Sequence, residues 1–141
     1  MRSLGLDVGE SRIGVAVSDP FRETAQPLEV VDRRPDGGDV RRIKEIISEY
    51  KVDELVVGLP LTMQGEAGPQ AKAVAEYASL LEREIGLPMK LWDERLSTVM
   101  VERSMVSGDV KRRKRKKIVD KLAAVVILQG YLDARRTSSK G

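Results

Sequence analysis

The feature that most restricts the fold is a change of rhythm near residue 38, where closely spaced extended segments give way to an alternation of helices and strands. Leu4 to Val8 is a short apolar run ending at Gly9, and Ile13 to Val17 follows until Ser18, Asp19 and Pro20 break it. A third extended segment lies around Ala25 to Val31. Connections of a few residues can join only antiparallel neighbours, so the three segments form a meander that opens with a tight hairpin. Pro27 lacks an amide hydrogen and marks the third segment as an edge strand.

After the turn-rich stretch Arg33 to Gly38, Asp39 is the candidate N-cap of a helix on which Val40, Ile43, Ile47 and Tyr50 recur at helical spacing. Glu54 to Gly58 has the continuous apolar character of a strand covered on both faces, and Gly58, Leu59 and Pro60 end it. A loop from Leu61 to Gly68 leads to Pro69, which suits a first helical turn. Ala71, Val74, Ala78, Leu81 and Ile85 share one face of the helix that follows, and Gly86 closes it. Met89 to Trp92 is a last short strand, Ser97 caps a helix through Val106, and a final helix runs from about Lys116 to Ala134. Strands that enter through helices lie parallel to the first. The expected class is α/β: a mixed five-stranded sheet, antiparallel over its first three strands and parallel thereafter, flanked by helices. Residues 1–141 are expected to form a single domain, with Arg135, Arg136 and Lys140 in a short polar C-terminal tail.

The longest apolar runs, such as Leu122 to Leu128, fall far short of the roughly 20 residues of a membrane span. The opening residues lack the apolar region of a secretory signal. No membrane association and a cytoplasmic location are therefore expected.

Two absences narrow the chemistry. The chain has no cysteine, which excludes disulfides, thiolate zinc sites and cysteine nucleophiles, and no histidine, which excludes imidazole as base, nucleophile or ligand. Carboxylates, lysines and hydroxyls must carry any catalysis. Oxygen-only ligands suit hard cations such as Mg²⁺ or Mn²⁺. Charge is also unevenly placed. Lys111, Arg112, Arg113, Lys114, Arg115, Lys116 and Lys117 form an unbroken basic run, and outside it acids outnumber bases. Such a run is either a solvated loop or a localised contact for a polyanion, and its closeness in sequence to Asp120 favours nucleic acid.

Three acids stand out. Asp7 interrupts the apolar strand Leu4 to Gly9, where an unpaired buried carboxylate would cost several kcal/mol. A basic partner or a loop cap is the structural alternative. Glu94 follows the Met89 to Trp92 strand and has Arg95 as an obvious ion-pair partner. Asp120 shares a helix face with Ala124, Ile127 and Tyr131 and so points towards the sheet, although a carboxylate in a first turn is also favoured by the helix dipole. In mixed sheets, sites gather at the carboxyl ends of the parallel strands, which is where Asp7 and Glu94 lie. Converging carboxylates repel one another unless divalent cations join them. Two ions about 3.5 to 4 Å apart would activate water and stabilise the leaving oxygen in phosphodiester cleavage without any histidine.

Leu4-Gly5-Leu6-Asp7-Val8-Gly9, with Arg12-Ile13-Gly14-Val15-Ala16-Val17-Ser18-Asp19, resembles the first motif of the YqgF family, also called RuvX. Val56-Val57-Gly58-Leu59-Pro60-Leu61 with Gly65, Gly68, Pro69, Gln70 and Ala71, then Asp93-Glu94-Arg95-Leu96-Ser97-Thr98, resemble its central motifs. Asp120-Lys121-Leu122-Ala123-Ala124, with Ile127-Leu128-Gln129-Gly130-Tyr131-Leu132, resembles its last helix. The resemblance spans nearly the whole chain. It implies an RNase H-like fold related to the RuvC Holliday junction resolvases, with Asp7, Glu94 and Asp120 as catalytic and metal-binding acids. Members are named both as Holliday junction resolvases and as nucleases that process the 5′ end of precursor 16S ribosomal RNA; the ribosomal role is the one preferred here. RuvC-like enzymes commonly carry a fourth carboxylate on the last helix, whereas Ala123 stands three residues after Asp120 in this chain.

Arg12, Arg95 and the run Lys111 to Lys117 are candidate phosphate contacts. Trp92 is the only tryptophan and Phe21 the only phenylalanine, so no base-stacking platform is evident and Trp92 is expected in the core. Two other classes compete. Asp7-Val8-Gly9 also resembles the phosphate turn of sugar-kinase-like ATPases, but those enzymes bind nucleotide between two such domains. The other is a non-catalytic nucleic-acid-binding module on the same fold. A homodimer is possible by analogy with resolvases.

Overall fold

The computed structural model describes residues 1–61, 64–94 and 122–135. In chain order the elements are β1 (Arg2–Val8), β2 (Arg12–Ser18), β3 (Ala25–Asp32), α1 (Gly38–Tyr50), β4 (Val52–Leu59), α2 (Pro69–Ile85) and β5 (Met89–Asp93). A last helix, α3, covers residues 122–135. The five strands form one sheet in the order β3-β2-β1-β4-β5. β2 pairs antiparallel with both β1 and β3, while β4 pairs parallel with both β1 and β5. The carboxyl ends of β1, β4 and β5 therefore share one edge, and the expected mixed sheet is the observed one.

Side chains alternate across a strand, so each strand serves two cores. Leu4, Leu6 and Val8 of β1 join Ile13, Val15 and Val17 of β2 and Leu55 and Val57 of β4 beneath Ile43 and Ile46 of α1 and Val74, Ala78 and Leu81 of α2. On the opposite face, Ala16 and Val56 meet Ala124, Ile127, Leu128 and Leu132 of α3. Two close approaches let α3 lie down on the sheet. A Cβ built on Gly5 would sit 2.7 Å from Leu128 Cβ and 3.1 Å from the carbonyl oxygen of Ala124. Trp92 packs edge-on to Tyr131 at 6.3 Å between ring centroids, with Gly130 against its indole, so the tryptophan is core-facing as expected.

The expected cap of α1 is corrected. Gly37, in the left-handed region at φ 82°, is the N-cap, and Asp39 lies inside the first turn, where it is buried. A glycine reaches that conformation without a Cβ penalty. The Asp39 carboxylate instead accepts the hydroxyl of Tyr77 from α2 at 2.8 Å, satisfying a phenol that would otherwise be buried without a partner. α2 starts and stops as its sequence predicts, with Pro69 in the first turn and Gly86 at φ 78° donating its N–H to the Glu82 carbonyl.

A second correction concerns the polar tail. Arg135 belongs to α3, and its guanidinium donates to the buried Glu54 carboxylate at 3.2 Å. Glu54 also accepts hydrogen bonds from Ser3 and Tyr131 and lies 3.7 Å from a guanidinium nitrogen of Arg22. Arg22 pairs with Asp53 as well. These contacts fasten the end of α3 and the β2–β3 turn to the amino ends of β1 and β4, remote from Asp7. Among the described residues no helix is long and apolar enough to cross a membrane. The expected helix from Ser97 to Val106 and residues 116–121 of the expected last helix lie outside the described residues.

Candidate active site

Asp7 stands one residue before the end of β1, level with Gly14 of β2. Because Leu4, Leu6 and Val8 face α1 and α2, Gly5 and Asp7 face α3. Glu94 follows β5 immediately. β4 lies between β1 and β5, so the two backbones that carry these carboxyls run two strand spacings apart, about 10 Å. The Glu94 side chain crosses that gap, and its carboxyl shares a hydrogen bond with that of Asp7.

It crosses over Gly58. The register ends its β1–β4 pairs at Leu6–Val57 and places Gly58 opposite Trp92 of β5, so the next residue pair on β1 and β4 sets Asp7 level with Gly58. A Cβ at Gly58 would lie 2.9 Å from both Cγ and Oε1 of Glu94 and 2.5 Å from Cδ1 of Ile127. In the sequence, Gly58 reads as part of the signal that ends the strand. β4 instead continues through it to Leu59, and the glycine is an interior strand residue. A glycine between Val57 and Leu59 is itself a sign that something approaches the backbone closely.

Burial pushes the Glu94 carboxyl up to about 8, and the hydrogen-bonded Asp7 carboxyl and the nearby Asp93 charge act in the same direction. Two carboxyls so close cannot both ionise unaided, and one proton between them resolves the repulsion. A divalent cation would resolve it equally well. The donors are oxygens only, which fits Mg²⁺ or Mn²⁺ better than a softer metal. Among the described residues no group of three or more carboxylates is placed to hold a metal ion by itself, so the described part of the site is the Asp7–Glu94 pair, with the Asp93 charge nearby.

The other predicted site residues separate into two groups. Arg12 opens β2 at the same edge of the sheet, and the alternation through Gly14 and Ala16 puts it on the α3 face with Asp7. Asp120, Arg95 and Lys111, Arg112, Arg113, Lys114, Arg115, Lys116 and Lys117 lie outside the described residues. The face of α3 assigned to the sheet is the one observed there, since Ala124 and Ile127 are fully buried against it.

Comparison with known proteins agrees with this architecture. The model of the RuvX family, described as Holliday junction resolvase, matches residues 1–134. A relative from Geobacillus sp. (strain WCH70) is 51% identical over 138 residues, covering 96% of this chain and 100% of its own, and is named "Putative pre-16S rRNA nuclease". A protein of the same name from Clostridium tetani (strain Massachusetts / E88) is also 51% identical, over 95% of this chain and 97% of its own. Among solved structures, T. thermophilus RuvC in complex with Holliday junction substrate aligns with a TM-score of 0.54 at 18% identity, covering 96% of each chain. The fowlpox virus Holliday junction resolvase aligns with a TM-score of 0.51 at 14% identity, over 95% of this chain and 99% of that one. At these identities the structural matches speak for the fold alone, which is RuvC-like.

Proposed function

The chain belongs to the RuvX family, and on that premise we propose that it is a metal-dependent nuclease in which Asp7, Glu94 and Asp120 hold Mg²⁺ or Mn²⁺, two ions in the full site, and which processes the 5′ end of precursor 16S ribosomal RNA. The observation that carries this reading is the carboxyl pair drawn together across β4 at the carboxyl edge of the sheet. Here the partner of one carboxyl is another carboxyl.

In this reading Glu94 gives up the proton it shares with Asp7 when a cation binds, so the pair changes from a hydrogen-bonded acid to two anionic ligands. When bound, the cations supply Lewis-acid stabilisation of the charge that develops on phosphate and a water nucleophile at neutral pH. The protein's part is to hold the ligands and to align the strand to be cut. Arg12 would contact a phosphate next to the scissile one, and Arg95 with the basic run Lys111 to Lys117 would hold the flanking backbone, which makes binding salt-sensitive. The working unit is taken as the single domain 1–141, acting in the cytoplasm.

The ribosomal substrate is preferred because the relatives at 51% identity carry that name. The resolvase reading draws on the description of the family model, and a homodimer would belong to it. Cleavage of end-labelled precursor 16S RNA and of a four-way DNA junction, with Mg²⁺ or Mn²⁺, separates the two when the parent is compared with Asp7→Asn. RNA cleavage lost in Asp7→Asn is the expected result. Junction cleavage alone would make the protein a resolvase. If neither substrate is cut, or the variant cuts as well as the parent, a non-catalytic binding module replaces the nuclease.

A further inference from the structure

We propose that Gly58 is a positioning residue of the acidic site: its missing side chain opens the passage across β4 through which Glu94 reaches Asp7. The strand order makes such a passage necessary. Any pair of ligands carried by β1 and by the end of β5 must meet above β4, and the residue of β4 level with Asp7 is Gly58. With alanine there, the new methyl would stand 2.9 Å from the Glu94 Cγ and Oε1 and 2.5 Å from the Ile127 Cδ1. Real carbons do not approach so closely, so both neighbours must move.

What gives way distinguishes Gly58 from the glycine at position 5. At Gly5 the obstructions are the Leu128 Cβ and the Ala124 carbonyl oxygen, atoms fixed to the helix backbone. At Gly58 they are the tip of an isoleucine and the side chain of a glutamate, which can rotate aside. Alanine at 58 is therefore accommodated at modest expense in stability, but the accommodation takes the Glu94 carboxyl away from Asp7. A small shift of a ligating carboxylate is enough to weaken a metal site. The geometric part of this inference stands on the carboxyl pair alone, and only its consequence for metal binding rests on the nuclease reading.

The test uses Ile127→Val, which deletes the Cδ1 carbon and so removes the α3 side of the obstruction. Gly58→Ala, Ile127→Val and Gly58→Ala/Ile127→Val are compared by thermal unfolding, by Mn²⁺ titration, and by crystal structures of the metal-free proteins. The expected result is that the double variant regains most of the stability lost in Gly58→Ala, yet binds Mn²⁺ roughly tenfold or more weakly than Ile127→Val, with the Asp7 and Glu94 carboxyls no longer hydrogen-bonded. If the pair is intact in the double variant and Mn²⁺ affinity recovers along with stability, Gly58 serves helix packing only and the proposal is overturned. If Ile127→Val and the parent bind no Mn²⁺ while the carboxyls still part in the double variant, the positioning role stands and the metal reading fails.

Discussion

On one face of the sheet, β1 presents Leu4, Leu6 and Val8 to two helices through large aliphatic side chains; on the other, the same strand presents Gly5 and Asp7 to α3. The first face is thick, with Ile43, Ile46, Leu55 and Leu81 fully buried in it. The second is thin. There α3 lies so near the strands that glycines and alanines form much of the contact, and the space left over at its edge holds carboxyls instead of methyl groups. The difference shows how a domain of this size divides its labour. Among the described residues, one face carries the larger share of the aliphatic burial, and the other gives up side-chain volume at Gly5 and Gly58 so that polar groups from distant strands can meet.

The comparison predicts that the two faces respond differently to substitution. The largest effect on stability belongs to Leu81→Ala, which empties a fully buried position beneath α2 and should lower unfolding free energy by about 2–5 kcal/mol. Mn²⁺ affinity measured well below the transition should not move; a matching loss of affinity would show that the faces are not independent. Gly5→Ala comes next, at about 1–3 kcal/mol, because overpacking must displace α3 from β1. Its loss of Mn²⁺ affinity should exceed that of Leu81→Ala. Equal losses would remove the distinction between the faces.

The acidic face alone also predicts a dependence on pH. The Glu94 carboxyl is raised in the folded protein from an ordinary 4.5 to about 8. A group raised on folding binds its proton more tightly in the native state, so its favourable contribution is complete below 4.5 and is lost as pH rises through about 8. The metal-free parent should accordingly lose stability across that window relative to Glu94→Gln, which cannot ionise. Parallel profiles from urea unfolding at several pH values would contradict the burial and coupling assigned to Glu94.

Much of this was legible in the residues. The strands, their order of direction and α2 follow from period, from Pro27 and Pro69, and from Gly86, because each reports a local backbone requirement. Asp7 was legible because a carboxylate in an apolar strand must be compensated by something. What escaped the sequence depends on partners far away in the chain. Asp39 looks like a cap until Tyr77 arrives from α2 to take its carboxylate, and Arg135 looks like a tail residue until the buried Glu54, 81 residues earlier, gives it a partner. Gly58 looks like punctuation. Its meaning depends on strand order, since only a sheet that sets β4 between β1 and β5 makes one residue the floor beneath a carboxyl carried by another.

The most direct test of the Asp7–Glu94 pair as a cation site is calorimetric titration of the parent and Asp7→Asn with Mn²⁺ at pH 7, in two buffers of different ionisation enthalpy. The parent should bind with heats that differ between the buffers by the ionisation of about one displaced proton, and Asp7→Asn should lose binding. Parent binding with the same heat in both buffers, or undiminished binding by Asp7→Asn, would mean that the proton held between these carboxyls is not the place a cation takes.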